Sequence, residues 1–449
     1  MLAPVLSLAL ALSLWADGPR LDPGDSKAWT QLQEQASVLG ASATQVPGVQ
    51  AAAVKIPVHA AAKSDNNSEV MLQGFHWLSW RTSPWWGVIA GKAQDIAASG
   101  FSMVWLPPSE DAASNEGYIP RRWYVQDSEY GTKAELQKAV AALHNGGVKA
   151  LADIVINHRV GSTSWADFTD PAWGCEAVVS NDEWKGACGH PDTGLGVAFA
   201  RDIDHAQPFV QKDVTDWLRW LKSEIGYDGW RYDFVRGYDP RYLAMYNDAT
   251  APSFSVVEVW DDFDINNADA HRQKLCDYID SVDGRVSAFD FTTKAVLQQA
   301  LSAGEYWRLK DSQGRPPGLI GWWPTKAVTF LDNHDTGAST GRGGNMWPFP
   351  DDRVMEGYAY ILTHPGVPCV FWPHFFDRGL HDRIKALIGL RKSAGIHSAS
   401  QVSVQAADAS RYAAVIDGKL AVKIGPADWS PGPGWTLAAS DKNYAVWTK

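Results

Sequence analysis

Four cysteines in 449 residues are too few for a disulfide scaffold, so a buried core has to hold this chain. Basic residues are in deficit: 40 Lys and Arg stand against 51 Asp and Glu, a net charge of −11. A nucleic-acid binder needs a basic footprint, so that partner is excluded; the balance suits a neutral substrate or a bound cation. Long apolar runs are scarce as well. Residues 2–15, LAPVLSLALALSLW, fall short of the ~20 residues of a spanning helix, and no later stretch is longer, so no membrane partner is expected. That run has the length of a signal-peptide core but lacks the basic residues that usually precede one. Nor does a GxGxxG follow the first strand candidate, which counts against a doubly wound dinucleotide-binding sheet. What the chain does have is 45% hydrophobic against 20% charged residues, enough for an ordinary core and too much for global disorder. Tryptophan is abundant: 23 residues, more than Tyr (14) or Phe (15). Indoles fill cores, and their flat faces also stack on sugar rings.

The length predicts about two to four structural units. Residues 1–68 read as a signal or leader segment followed by an Ala/Ser/Gly-rich linker, with a short helix packed on the main domain as the alternative. From residue 69 onward, short apolar runs recur at 70–77, 101–107, 148–158, 229–234, 253–260, 286–291, 327–335 and 367–372. Between most of them lie stretches of helical spacing. Leu136, Val140 and Leu143 share one helix face ahead of Gly146 and Gly147, and Val214, Trp217, Leu218, Leu221 and Ile225 share another. Eight strands alternating with helices predict an α/β fold, a (β/α)8 barrel over 69–158 and 203–394. Residues 159–202, rich in Gly, Asp and Trp, predict a small inserted domain after strand three. Residues 395–449, with short alternating runs between DG and PG turns, predict a C-terminal antiparallel β-domain.

A barrel's chemistry sits at the C-terminal ends of its strands. Those ends carry Asp153, Asn157 and His158 (strand three), Arg231 and Asp233 (four), Glu258 (five), and Asp332, His334 and Asp335 (seven). Any one of these reads as a cap or a satisfied core residue. Three acids from three strands on one face match what glycoside hydrolysis needs: a nucleophilic carboxylate and a carboxylic acid that protonates the leaving oxygen. Arg231 lies two residues before Asp233, on the same strand face, where its charge should keep that carboxylate ionised. Glu258, between Val257, Val259 and Trp260, has no cation beside it in the sequence, and an apolar setting raises an acid's pKa.

Taken in order and spacing, INH (156–158), GWRYDFVRG (229–237), EVWD (258–261) and FLDNHD (330–335) resemble the four signature segments of the α-amylase family of retaining glycoside hydrolases. The resemblance is closer to plant-type α-amylases and runs from GFHWLSW (74–80) through SNEGYIP, DIDH and IGWWPTKA to the C-terminal DGK segment, nearly all of 69–449. It implies an enzyme, an endo-acting hydrolase of α-1,4-glucosidic bonds in starch-like glucans. Asp233 would be the nucleophile, Glu258 the general acid and then base, and Asp335 the group that holds sugar hydroxyls and stabilises the transition state. His158 and His334 would donate to hydroxyls of the sugar at the cleavage point, Tyr118 would stack beside them, and Trp77 would line the cleft further out.

The resemblance also implies a calcium ion tying the insert to the barrel through Asn157, Asp192, Asp202, the Gly237 carbonyl and a further carbonyl near Leu195; solvated loop acids are the bland alternative. Gly196 stands where the plant pattern has an acid, which puts additional calcium ions in doubt. Cys175 and Cys188 in the insert bridge in one reading and stay free thiols in the other, while Cys276 and Cys369 read as buried. Trp322 and Trp323 form either an exposed platform for a polysaccharide or an inward indole covered by its neighbour. A monomer is expected, secreted or directed to a plastid or vacuole. Three rivals remain: a transglycosylase or short-oligosaccharide enzyme of the same family, a silent glucan-binding protein, and a metal-dependent amidohydrolase. The last needs a histidine-rich first strand, and His76 stands there by itself.

Overall fold

A computed structural model describes residues 67–162, 166–338 and 347–449; the leader reading therefore lies outside the described residues. Each of the eight apolar runs forms a strand: β1 (Met71–Gln73), β2 (Met103–Trp105), β3 (Lys149–Ile154), β4 (Gly229–Tyr232), β5 (Ser255–Val257), β6 (Ser287–Phe289), β7 (Ala327–Phe330) and β8 (Val367–Phe371). They pair in parallel in that order and close into a barrel, with Met71 opposite both Met103 of β2 and Cys369 of β8. Parallel strands covered on both faces bury every residue but Lys149 at the start of β3, which is why they read as continuous apolar runs.

Among the described residues eight helices of ten residues or more surround the strands: α1 (Trp85–Ala98), α2 (Lys133–Asn145), α3 (Pro208–Trp220), α4 (Pro240–Thr250), α5 (Ala268–Ser281), α6 (Phe291–Ala303), α7 (Val354–Thr363) and α8 (His381–Ser393). Their ends follow local chemistry. Thr132 and Glu135 form a reciprocal capping box at the start of α2, and Gly147 ends its turn at φ 73°. α3 starts on Pro208, passes into a π-helical turn at Leu221–Ile225 and stops at Gly226, φ 97°.

The insert leaves after β3 and is stitched to its own exit by two-residue strands, His158 opposite Asp202 and Arg159 opposite Arg201. Arg159 anchors it from below, buried over the rings of Trp123 and Trp173 (4.9 Å each) and donating to the carbonyls of Arg121 and Pro171. Cys175 and Cys188 are joined as a disulfide, which decides between the two readings left open by the sequence. Cys276 and Cys369 are buried thiols.

The C-terminal sheet has five strands, β9 (Val402–Ala407), β10 (Tyr412–Ile416), β11 (Leu420–Ile424), β12 (Thr436–Asp441) and β13 (Tyr444–Thr448), in the order 9-10-11-13-12. Four match the alternating runs. β12, mostly exposed at the edge, carries no apolar alternation that would have announced it. Buried Glu356 on α7 joins sheet to barrel, accepting from Tyr306 Oη and Asn443 Nδ2. Among the described residues no helix is long and apolar enough to cross a membrane.

Candidate active site

Strand register assembles the site. Asp153 on β3 lies opposite Arg231 on β4, and Arg231 lies opposite Val256 on β5. Continuing that register by two residues brings Asp233 and Glu258 side by side on the inward face, just past their strand ends. Arg231, buried among them, sends Nη1 to Asp233 Oδ1 (2.7 Å) and Asp153 Oδ1 (2.8 Å), and Nη2 to Glu258 Oε2 (2.9 Å). Its guanidinium lies over the Trp105 ring at 4.9 Å, and Trp105 and Tyr118 both donate to Asp153 Oδ2.

The fold adds to the local reading here. Glu258 has no cation near it in the sequence, yet the fold places Arg231 directly on it. Arg231 draws the Asp233 carboxyl down, but burial is the larger effect and pushes it up to about 6, which still leaves it ionised at neutral pH. Glu258 is pushed further, to about 7, by burial first and by the Asp233 charge, against the pull of Arg231. The two carboxyl groups share a hydrogen bond that favours the proton on Glu258 and the charge on Asp233. Phe234, held at φ 40°, turns its backbone N–H to Glu258 Oε2 at 3.3 Å. A non-glycine residue in that left-handed region is strained, the sort of cost found where a site fixes its geometry.

Asp335 comes to the same mouth from β7. Its carboxyl is raised well above the usual range by burial and by the charges of Glu258 and Asp233. His334 Nε2 lies 3.3 Å from Asp335 Oδ2, while its Nδ1 faces Gln73 Nε2 at 3.1 Å. Burial and the Arg231 charge hold this imidazole neutral, so the ring with Nδ1 accepting from Gln73 carries its proton on Nε2, toward the acid. The rings of Trp77, Tyr118 and His334 lie within 4° of parallel, at centroid distances of 4.9 to 6.0 Å, and form one stepped aromatic floor.

Other expected residues fall differently. His158 is buried with Nε2 on the Tyr118 carbonyl (2.8 Å) and Nδ1 facing Asn157, so its ring nitrogens serve the floor beneath the cleft. Burial lowers it to about 4. Trp322 and Trp323 make no joint platform: Trp322 is buried, 2% exposed, under the Arg272 guanidinium 3.8 Å from its ring, and Trp323 is half-buried. They immediately precede β7, at the end of the barrel opposite the carboxylates.

The candidate metal cradle has the chemistry of a hard cation. Asn157 Oδ1 is buried without a hydrogen-bond partner, and a Cβ on Gly237 would lie 1.8 Å from it, so only glycine fits there. Asn157 Nδ2 reaches Asp202 Oδ1 at 3.2 Å. Asp202 is pushed up to about 8 by burial and by the charges of Glu183, Asp182 and Asp192, of which Asp182 is paired with Arg201 Nε at 2.8 Å. Asp182 and Glu183 were not anticipated, although the DE pair at 182–183 was there to be seen. Their carboxylates gather with that of Asp202, and Glu183 Oε1 sits 2.6 Å from where a Cβ on Gly196 would be. Asp192 is more exposed and holds its own loop, accepting from Gly194 N.

Comparison with known proteins gives concordant matches. Residues 82–172 match the family described as alpha amylase, catalytic domain, and residues 393–448 the alpha-amylase C-terminal beta-sheet domain. The chain is 46% identical over 397 residues to "Probable alpha-amylase 2" of Arabidopsis thaliana, covering 85% of this chain and 94% of that protein. It is 42% identical over 414 residues to "Alpha-amylase 3, chloroplastic" of the same plant, covering 89% of this chain and 46% of that longer protein. An α-amylase structure from Malbranchea cinnamomea aligns with a TM-score of 0.63 at 17% identity, over 85% of this chain and 96% of that one, a likeness of fold.

Proposed function

The chain belongs to the α-amylase family, and from that premise we propose that it cuts internal α-1,4 bonds of starch-like glucans with Asp233, Glu258 and Asp335. One observation carries the reading: Asp233 and Glu258 meet on the two terminal nitrogens of one buried guanidinium. Carboxyls held by neighbouring nitrogens of one guanidinium suit the close separation of retaining glycosidases, about 5–5.5 Å, rather than the wider gap that accommodates a water in inverting ones.

The chemistry follows from that split. Asp233, the more acidic partner, attacks the anomeric carbon while Glu258 gives its proton to the glycosidic oxygen. The carbon–oxygen bond breaks and the glucosyl unit stays on the Asp233 carboxylate. Glu258, now ionised, takes a proton from a water that attacks the same carbon, freeing Asp233 and restoring the α-configuration. His334 and Asp335 hold hydroxyls of the reacting sugar above the floor of Trp77 and Tyr118. His158 positions Tyr118.

We assign a calcium ion to the cradle of Asn157, Asp192, Asp202 and the Gly237 carbonyl. When bound it neutralises the Asp202 cluster and cross-links the insert to β3 and β4. A monomeric chain in an oxidising compartment completes the reading; the Cys175–Cys188 disulfide supports secretion over a reducing compartment. Relatives include a chloroplastic enzyme, so export of the full chain is the direct check on location.

Soluble starch tests the whole. Viscosity should collapse while few reducing ends appear, and the first product should be the α-anomer by NMR. Starch that is bound and left uncut, or a β-anomer, would overturn the proposal.

A further inference from the structure

The turn that delivers His334 and Asp335 rests on a buried ion pair that the chemistry above does not use. Asp332, 1% exposed at the end of β7, accepts from Thr336 Oγ1 (3.1 Å) and from the backbone N–H of Phe349 (3.1 Å). Lys294 of α6, fully buried, lies 3.6 Å from the same carboxylate and donates to the Trp347 carbonyl (2.9 Å) and Gln298 Oε1 (2.6 Å). One carboxylate and one ammonium thus hold both the stretch that leaves β7 and the stretch that returns to α7. The link continues inward. Thr336 Oγ1 also accepts from Asn333 N, and Asn333 Oδ1 accepts from the N–H groups of Asp335 (3.0 Å) and Thr336 (2.9 Å). Packing fixes the same turn: a Cβ on Gly337 would lie 2.6 Å from the Phe371 ring and 2.7 Å from Asp332 Cβ.

We propose that the Asp332–Lys294 pair is the positioning device for Asp335: it sets, through Thr336 and Asn333, the height at which Asp335 and His334 meet the sugar. This rests on the assignment of Asp335 to the reaction. The pair is not needed for the chain to bind glucan along the rest of the cleft, so its loss should slow turnover more than it weakens binding. Burying an ion pair is costly and its bare removal leaves an orphan charge, which makes single and double substitutions behave differently.

The other groups facing Asp332 are His374, with Nε2 at 3.5 Å, and Arg378, whose charge also pulls its pKa down; burial pushes Asp332 up to about 6 nonetheless. His374 is bonded through Nδ1 to Tyr358 and held neutral by burial. Lys294 is therefore the charge that faces Asp332 most closely.

The test compares Asp332→Asn, Lys294→Met, their combination, Thr336→Val and Thr336→Ser in the full chain, with starch as substrate. We expect Asp332→Asn and Thr336→Val each to lower kcat at least tenfold with KM within threefold. Thr336→Ser, which keeps the hydroxyl, should return kcat to within twofold of wild type. The double variant should exceed Asp332→Asn in kcat, because no orphan ammonium remains. Should Asp332→Asn fail to fold, the Thr336 pair decides alone, since neither change alters charge. Unchanged kcat in Thr336→Val, or losses that follow Tm and are equal for Val and Ser, would overturn the proposal. The assignment of Asp335 itself fails separately, if Asp335→Asn retains wild-type kcat.

Discussion

Asp153 Oδ1 lies 2.8 Å from Arg231 Nη1, so the guanidinium that binds both Asp233 and Glu258 is itself seated on a third acid. Asp153 adds to the burial that raises Asp233, while it pins Arg231 in place. Replacing it with Asn removes a negative charge near Asp233, whose pKa should therefore fall. We expect the acid limb of the kcat/KM profile to move down by about one pH unit. kcat should fall about tenfold as Arg231 loses its seat. An acid limb that moves upward would contradict this charge accounting.

The Asp233–Glu258 pair sets the pH profile as a unit. In the proposed mechanism activity needs one proton on the pair, with Asp233 near 6 and Glu258 near 7. kcat/KM should decline below about 6, where the pair takes up its second proton, and above about 7, where Glu258 loses its own. Glu258→Gln should abolish the alkaline limb and reduce starch turnover about 10³-fold. Aryl α-glucosides with good leaving groups, which need no protonation, should suffer far less in their release step. Equal losses on both substrates would remove Glu258 from the acid role.

Calcium and pH should be linked through Asp202. Its folded value of about 8 lies above the ordinary carboxylate range, so the metal-free fold keeps Asp202 protonated. That favours folding at low pH, and the contribution fades as pH rises from about 4 toward 8. Chelated protein should therefore melt lower at pH 8 than at pH 5. Calcium should restore Tm most at the alkaline end, worth about 4 kcal/mol at a thousandfold excess over Kd. Asp202→Asn should flatten both trends. Melting curves in chelator and in calcium at the two pH values give the answer, and a chelated protein more stable at pH 8 would refute it.

Cys175 and Cys188 close a loop of separation 13 that contains Asp182 and Glu183. A cross-link of that size contributes about 3 kcal/mol by limiting the unfolded chain, in the entropic account. Substituting both with Ser should lower Tm and weaken calcium binding about tenfold in calorimetry, with kcat at saturating calcium unchanged. Calcium affinity equal to wild type would separate the loop from the metal cradle.

Trp322, buried beneath Arg272, should behave as core: Trp322→Ala should cost about 3–5 kcal/mol. Trp323→Ala should leave starch adsorption at the wild-type level, because Trp322 is buried and cannot share a platform with it. Loss of adsorption in a stable Trp323→Ala protein would reinstate a glucan contact there.

Legibility differed by element for physical reasons. The barrel strands could be read because burial on both faces leaves a continuous apolar run. β12 could not, since an exposed edge strand needs no apolar alternation. The strand-end acids were readable by their order along the chain. The contact of Arg231 with Glu258 was not, because 27 residues separate them and only the β4–β5 register closes that distance. In the insert, where no helix or strand period constrains the chain, Asp192 and Asp202 were anticipated, and the gathering of Asp182 and Glu183 with Asp202 was not.

The amino-acid order by itself determined that eight strands would alternate with helices and that carboxylates would stand at one end of them, because periodicity and strand-end position are local properties of a chain. Which carboxyl is pushed furthest up, which histidine turns to Asp335 and which to the Tyr118 carbonyl, and whether two adjacent tryptophans show themselves were decided only in three dimensions. Those outcomes depend on burial and on charges brought within about 3–6 Å by strand pairing, and neither is a property of neighbours in sequence.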